Sequence, residues 1–574
     1  MTDSSIERVP FNKGAIKIWA EADSRRGNWP VVYTIDNGTS IYIGETTNAD
    51  VRMQQHLDSP AKQGLSHVRV IINDEFNKSV CLDLESHLIR YLAADVKYTV
   101  INGNHGISDA DYFERDRYRK DFDAIFAKLL EEGVLTRTIP DIVNSNLFKY
   151  SPYKALNRDQ ATAVEEILEY LFRSWAESSQ QSLVVQGDPG TGKTIVAIYL
   201  VKLLIDIAQS DPEAALESDS LFADFFQPGY REVLGTPKIG LVIPQQSLRK
   251  TVQKVFARTP GLDKSMVISP FDLNTRDKFD LLIVDEAHRL GQRSNQPSAA
   301  QNKKFTENNL ALFGNDDSRW TQLDWVQAAS RHKLLLVDAA QSVKPGDLPL
   351  VAVQDLLREA RTANALFHLT SQMRVAGGND YVDFVRRLIN LEPTGSTDFG
   401  EYDFSIFDDF GKMREAILAK DAEVGLSRLV AGYAWPWASR NDDSAMDIEI
   451  DGIQMQWNQV AVDWINSPTS VNEVGSIHTV QGYDLNYAGV IIGPDLGYDD
   501  ETGRLVFNRE SYFDAKGKEN NPRLGITYSD EDLLEFVKNI YRVLLTRGIR
   551  GTYVYIVDAQ LREKLVVLLG DESR

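Results

Sequence analysis

The stretch Gly187-Asp188-Pro189-Gly190-Thr191-Gly192-Lys193-Thr194 holds the residue types that bind a triphosphate. Gly187, Gly190 and Gly192 let backbone N–H groups close around phosphate oxygens, and the helix that follows adds the positive end of its dipole. Lys193 reaches the β- and γ-phosphates as a point charge, and the Thr194 hydroxyl ligates Mg²⁺. Asp285 and Glu286 end the apolar run Leu281-Leu282-Ile283-Val284. There Asp285 can hold the same Mg²⁺ and Glu286 can polarise the attacking water. Two adjacent carboxylates ending a buried strand are costly unless they are used. Gln341 follows a second such run, Leu334-Leu335-Leu336-Val337, and can sense the γ-phosphate; Gln160, upstream, can meet the adenine edge and favour ATP. ATP hydrolysis is the chemistry these residues predict.

A second group lies in the first hundred residues: Tyr33, Tyr42, Arg52, His56, Glu85 and Asn102. Taken singly, each has an ordinary reading, since a hairpin tyrosine packs in a core and a helical arginine is solvated. Arg52 and His56, at i and i+4, share one face of any helix over 48–57. Glu85 sits in a second helical stretch over 80–92, whose Leu84, Leu88 and Leu92 mark the buried side.

The positioning elements follow from apolar pattern. Leu183-Val184-Val185 predicts a buried strand before the glycine loop, and Ile195 to Val201 a helix after it. Further buried strands are predicted over 239–243, 281–284, 334–337 and 553–557. Val31 to Ile35 and Ser40 to Gly44 predict a hairpin around the turn Asp36-Asn37-Gly38. Residues 106–145 begin rich in mixed charge, continue as an amphipathic stretch marked by Phe122, Ile125, Phe126, Leu129 and Leu130, and read as a solvated helical linker broken at Ile139-Pro140-Asp141. Residues 210–224 form an acidic insertion. Residues 245–250 end a strand in amide, hydroxyl and basic groups, which suits phosphate contacts or an ordinary solvated loop. Trp435 and Trp437 either pack in a core or stack bases. Residues 495–530 read as a polar, glycine-rich insertion.

The group in the first hundred residues resembles the GIY-YIG nuclease family. Tyr33 stands for its first tyrosine, Tyr42-Ile43-Gly44 matches its second half, and Arg52 follows at the family's spacing. The departure is Val31-Val32 before Tyr33. The resemblance implies that Glu85 holds a divalent metal, Arg52 clamps the scissile phosphate, and Tyr33 or His56 prepares water, with Asn102 as the late asparagine and His67 a weaker match. From about residue 146 to 558 the chain resembles superfamily 1 helicases, and among them the schlafen-like DNA/RNA helicase domains. Ser371-Gln372-Met373-Arg374 looks like the opening of a second motor domain, with Arg374 offered to the γ-phosphate. Residues 476–484 look like motif V, with Asp484 where many relatives have glutamate. Residues 539–548 look like motif VI, with Arg547 as an arginine finger in cis.

The expected fold is α/β: a small α+β GIY-YIG nuclease domain at 1–105, the linker at 106–145, a first RecA-like parallel-sheet ATPase domain at 146–365, and a second, with insertions, at 366–574. The 574-residue length fits three or four domains. A formal charge of −21 opposes indiscriminate adhesion to nucleic acid and leaves a local basic track as the means of binding. The single cysteine excludes an internal disulfide and fits a reducing cytoplasm, and no leader or membrane span is expected.

The sequence therefore predicts an ATP-dependent nuclease-helicase that moves on or remodels DNA and cuts it with a divalent metal. The resemblance sets it in prokaryotic anti-phage defence or repair. ATP and Mg²⁺ are the expected cofactors, with Mn²⁺ as the alternative metal for the nuclease. DNA is the expected partner ahead of RNA, and a protein partner or homo-oligomer stays open. The alternatives are an RNA-acting nuclease, an ATPase switch that gates cutting without unwinding, and a non-enzymatic binding module.

Overall fold

The computed structural model describes residues 4–102, 111–177, 179–180, 182–210, 222–274, 277–293, 296, 298–338, 344–395, 398–460, 463–480 and 483–569. The chain is mixed α/β and divides into two compact units. One comprises Met1–Thr162, Ile198–Thr236 and Val252–Ser265; the other comprises Ala163–Ala197, Pro237–Thr251 and Met266–Arg574. Among the described residues no helix is long and apolar enough to cross a membrane.

The first unit is built on β1 (Ser5–Pro10), β2 (Val31–Asp36), β3 (Ser40–Thr46), β4 (His67–Ile72) and β5 (Thr99–Val100), in the order β1-β4-β2-β3-β5. Only the β3–β5 pair is parallel. β2 is buried along its whole length, which accounts for its run of β-branched and aromatic residues. Alternate side chains feed opposite cores: Val32 joins the helix Lys78–Asp95, while Tyr33 packs with Met53 of the helix Ala49–Asp58. Asn48 and Asn77 cap these two helices through their side chains.

The stretch expected to be a solvated linker is not one. The helix Arg115–Glu131 buries Tyr118, Phe122, Ile125, Phe126 and Leu129 in the same core as Leu84 and Leu88. Its charges occupy one face and its aromatics the other, so the amphipathic pattern marks a core helix and the charge only its outer face. Nor does Pro140 break the chain. It lies in the first turn of the helix Ile139–Asn144, where a missing N–H costs nothing, and Thr138 caps Asp141.

In the second unit, β6 (Ser182–Gly187), β7 (Ile239–Val242), β8 (Val267–Ile268), β9 (Phe279–Val284), β10 (Ser330–Val337) and β11 (Leu366–Leu369) form a six-stranded sheet ordered β11-β6-β10-β9-β7-β8. Every pair is parallel. Strands covered on both faces read as continuous apolar runs, and Leu281, Leu282, Ile283 and Val284 are fully buried. β11 extends this sheet past the boundary expected at residue 365, because Leu366 to Leu369 pair with Val184 to Gly187.

A second parallel sheet follows, from β12 (Asp403–Phe407) and β13 (Ser427–Ala431), past the hairpin of β14 (Ile448–Ile450) and β15 (Ile453–Met455), to β16 (Val474–Ser476) and β17 (Leu485–Ile492). After the hairpin of β18 (Leu496–Asp499) and β19 (Arg504–Phe507), the chain returns as β20 (Gly548–Ile556), giving the order β12-β20-β17-β13-β16. Val554 and Ile556 enter one core and Tyr553 and Tyr555 the other, as alternation along a strand requires. Two parallel sheets are the architecture expected of paired RecA-like motor domains. Trp435 and Trp437 are partly buried and pack against the core of Trp457, with Tyr433 stacked on Trp457 at 5.5 Å.

The polar insertion packs against the second sheet: Leu496, Tyr498, Phe507 and Tyr512 join its core. Asp495 at its start is fully buried and accepts from the Tyr541 hydroxyl at 2.5 Å, while its Oδ2 has no partner. Burial raises its carboxyl from 3.8 to about 7. The folded chain thus keeps a proton that the unfolded chain releases, so this contribution to stability is intact below about pH 4 and lost as pH rises through 7. Asp495→Asn should flatten that slope and raise stability at pH 8 by up to about 4 kcal/mol, read by denaturant titration across pH.

Candidate active sites

The triphosphate loop joins β6 to the helix Lys193–Gln209. Gly190 has φ +86°, and a Cβ there would collide with the Gln372 amide, so glycine is demanded twice. The segment expected to open the second motor domain closes on this loop: Met373 N donates to Gly190 O at 2.8 Å and Gln372 Nε2 to Pro189 O at 2.7 Å. Lys193 is nearly buried and donates to Gly187 O at 2.6 Å and Asp188 O at 2.9 Å, with Asp338 Oδ2 3.5 Å away. These are contacts that phosphate oxygens can replace.

Thr194 Oγ1 donates to Asp285 Oδ2 at 2.8 Å, across two elements far apart in sequence. Burial and the neighbouring Glu286 raise the Asp285 carboxyl to about 6. Burial opposes charge on Glu286 too, yet His288, Arg289 and Lys193 hold it well below the carboxylate range. Its Oε2 lies 3.1 Å from His288 Nε2 and 3.2 Å from Arg289 Nε. His288 Nδ1 accepts from Asp338 N at 3.2 Å, which assigns the ring proton to Nε2, facing Glu286. Glu286 also has φ +51°, a left-handed conformation a glutamate adopts only under constraint. An ionised, anchored carboxylate beside the Lys193 loop suits polarisation of water.

Arg547 and Arg374 reach the same centre. Arg547 is almost wholly buried and donates to Tyr483 O at 3.4 Å. Burial and the Arg374 charge lower it to about 9, against the opposing pull of Asp484 and Glu286. Arg374 Nε pairs with Asp484 Oδ1, so the aspartate at the motif V position holds one arginine beside the other.

Gln160 falls in the first unit, where its amide oxygen accepts from Asn157 N at 3.2 Å and its own N–H goes to Asn157 Oδ1 at 2.7 Å. This reciprocal cap starts the helix Arg158–Ala176. Gln341 lies outside the described residues, as do Gln481 and Gly482 of the motif V stretch. The stretch 245–250 is largely the first turn of the helix Gln246–Phe256, and Arg249 turns back onto the carbonyls of Ile243 and Pro244.

In the first unit, β2, β3 and the helix Ala49–Asp58 bring Tyr33, Tyr42, Arg52 and His56 together. Tyr33 Oη and His56 Nε2 are 2.6 Å apart, and the Tyr42 and His56 rings meet edge-on at 5.0 Å. A Cβ on Gly44 would strike the Tyr33 hydroxyl, which explains a glycine there. Burial and Tyr42 raise the Tyr33 phenol well above its usual range, and burial and Glu85 raise Tyr42 to about 12; Arg52 opposes both. Burial raises the Glu85 carboxyl to about 8, helped by Glu45 and opposed by Lys78 and Arg52.

Lys62 was not legible as part of this cluster. Its Nζ lies 2.6 Å from His56 Nδ1 and 3.5 Å from the Tyr42 ring centroid. With Lys62 as donor to Nδ1, His56 carries its proton on Nε2 and gives it to Tyr33. Burial, Lys62 and Arg52 together lower His56 to about 3, so the ring is neutral and orients Tyr33. Asn102 uses both ends of its amide on Ile43, at 3.0 and 2.7 Å, and so pins β3. His67 is exposed on β4, paired with Ser66, at the register of Asp36 rather than Tyr33.

Among the described residues no group of three or more His, Cys, Asp or Glu is arranged for a metal. The donors that are present are hard oxygens. Thr194 and Asp285 fit Mg²⁺ at the phosphate loop. Beside Glu85, the Glu45 Oε2 is buried without a hydrogen-bond partner, and its Oε1 pairs with Lys78.

The family model for the Schlafen group 3 DNA/RNA helicase domain matches residues 180–558, more than half of the chain. The chain belongs to the Schlafen group 3 helicase family. With that membership come nucleic-acid binding and an ATP-hydrolysing motor. An uncharacterised Saccharomyces cerevisiae protein, YPL245W, is 28% identical over 403 residues, covering 67% of this chain and 83% of the relative.

Proposed function

We propose that the chain is an ATP-driven helicase motor joined to a metal-dependent nuclease, and that DNA is its substrate. The reading is carried by the Tyr33–His56–Lys62 chain of contacts, set beside Glu85 in the same molecule as the motor. A core needs no lysine-bound neutral imidazole aimed at a buried phenol, whereas hydrolysis of a phosphodiester needs an oriented hydroxyl.

In the motor, Lys193 binds the β- and γ-phosphates and Thr194 with Asp285 would hold Mg²⁺, which supplies charge neutralisation when bound. Glu286 orients and polarises water. Arg547 and Arg374 stabilise charge developing on the γ-phosphoryl group, and release of Arg374 from Asp484 ties turnover to movement of the second sheet. In the nuclease, Glu85, with Glu45 beside it, would hold the divalent ion, Mg²⁺ or Mn²⁺, that stabilises the leaving oxygen. Arg52 clamps the scissile phosphate. Tyr33, held by His56, positions the water. Defence against foreign DNA, or repair, is the setting such a pair of activities serves.

ATP turnover measured with DNA and RNA strands of one sequence tests the substrate. Stimulation by DNA alone is expected. Stimulation by RNA alone would move the activity to RNA, and indifference to both would remove nucleic acid from the motor's cycle.

A further inference from the structure

The aromatic stretch from Tyr433 to Trp437 belongs to neither catalytic site, and it lies where parallel sheets bind ligands. β13 and β16 are parallel neighbours, in register at Ala431 and Ser476. Tyr433 and His478, each two residues beyond those ends, therefore leave the carboxyl edge of the sheet side by side. Ligands of open parallel sheets sit outside the carboxyl ends of the strands. Tyr433 backs onto the buried Trp457, whose ring is 5.5 Å away and at 9° to its own. Around it stand Trp437, edge-on at 6.3 Å, and the His478 ring at 6.1 Å. The insertion brings a fourth ring, since Phe513 N donates to Tyr433 O at 2.8 Å.

These rings reach the surface. Phe513 is 42% exposed, the His478 side chain is 41% exposed, and Tyr433 and Trp437 are only partly buried. A lone exposed phenylalanine needs no explanation, whereas adjoining aromatic rings at a surface mark a contact site. The charge around them says of what kind. Arg440 is exposed, its Cζ 5.9 Å from the Trp437 ring centroid, and it makes no ion pair among the described residues. The carboxylates near Tyr433 are already engaged. Asp514 Oδ2 lies 2.7 Å from His478 Nε2, and Asp447 is buried, accepting from Ser439 and from Trp457 N. A chain of formal charge −21 thus leaves one cation uncompensated beside its exposed rings. Flat π-faces next to a free guanidinium match a strand of bases on a phosphate backbone.

We propose that Tyr433, Trp437, His478 and Phe513 form a stacking platform for the bases of a single DNA strand, with Arg440 on its phosphates. The proposal rests on the nucleic-acid reading of the motor and goes beyond it. The strand is gripped through its bases, whatever their identity, by the second sheet and its insertion. A sheet that holds bases carries the strand with it when the motor moves.

The test titrates the full chain with fluorescent oligodeoxythymidine, and with a strand of the same length made wholly abasic, at several salt concentrations. Loss of the bases should weaken binding by about tenfold or more. Phe513→Ala should weaken oligodeoxythymidine binding about tenfold and leave the abasic strand as it was, while Phe513→Trp should bind at least as well as wild type. Arg440→Gln should weaken both strands alike and lower the salt slope by about 0.7. Both side chains are exposed, so these variants should melt with the wild type, which separates a lost contact from a damaged fold. Strands carrying 5-iodouracil should crosslink on irradiation to the four rings. Equal binding of oligodeoxythymidine by wild type, Phe513→Ala and Arg440→Gln, with crosslinks elsewhere, overturns the platform alone and leaves the rings to a protein partner. Failure of the wild type to bind any strand overturns the nucleic-acid reading with it.

Discussion

Lys193→Ala should lower ATP turnover by a hundred- to thousandfold, the cost of removing one preorganised cation from a phosphoryl-transfer site. Lys193 makes both of its close contacts to loop carbonyls, Gly187 O and Asp188 O, so the loop's turn survives without it. The expected side effect is local. Asp338, buried, loses the cation 3.5 Å away, and taking a cation from beside a buried carboxylate is destabilising. Melting measured beside turnover separates the two effects. Turnover near wild type in a folded Lys193→Ala protein would remove Lys193 from catalysis.

Glu85→Gln should abolish phosphodiester cleavage, by about a thousandfold or more if the carboxylate anchors the metal that stabilises the leaving oxygen. The amide keeps the volume and loses the charge. It also relieves repulsion with Glu45, which together with burial raises the Glu85 carboxyl to about 8. The variant should therefore melt at or above the wild type while losing cleavage, a combination that damage to the fold does not produce. ATP turnover should be untouched. Full cleavage by Glu85→Gln would dismiss it as the metal ligand.

Much of the motor could be read in the sequence because its chemistry is local. The glycine loop and the Asp285–Glu286 pair are contiguous letters at strand ends, and parallel strands announce themselves as unbroken apolar runs such as Leu281 to Val284. Relations between distant residues were not legible. Nothing local to Arg374 names Asp484 as its partner, and nothing in Lys62 places its ammonium on His56. Composition misled where a helix carried charge on one face. The run from Glu114 to Lys120 looked like linker, yet Tyr118 and Phe122 are core. The signal was present in the spacing of Phe122, Ile125, Phe126 and Leu129, and deserved more weight than the charge.

In the proposed function one chain cuts DNA with the Tyr33–Glu85 cluster and drives or licenses the cut with the Lys193 motor. Cleavage of supercoiled plasmid in Mg²⁺, with and without ATP, by wild type, Glu85→Gln and Lys193→Ala tests it most directly. ATP-dependent cutting by the wild type and none by either variant is the expected result. Cutting that survives Glu85→Gln would contradict it.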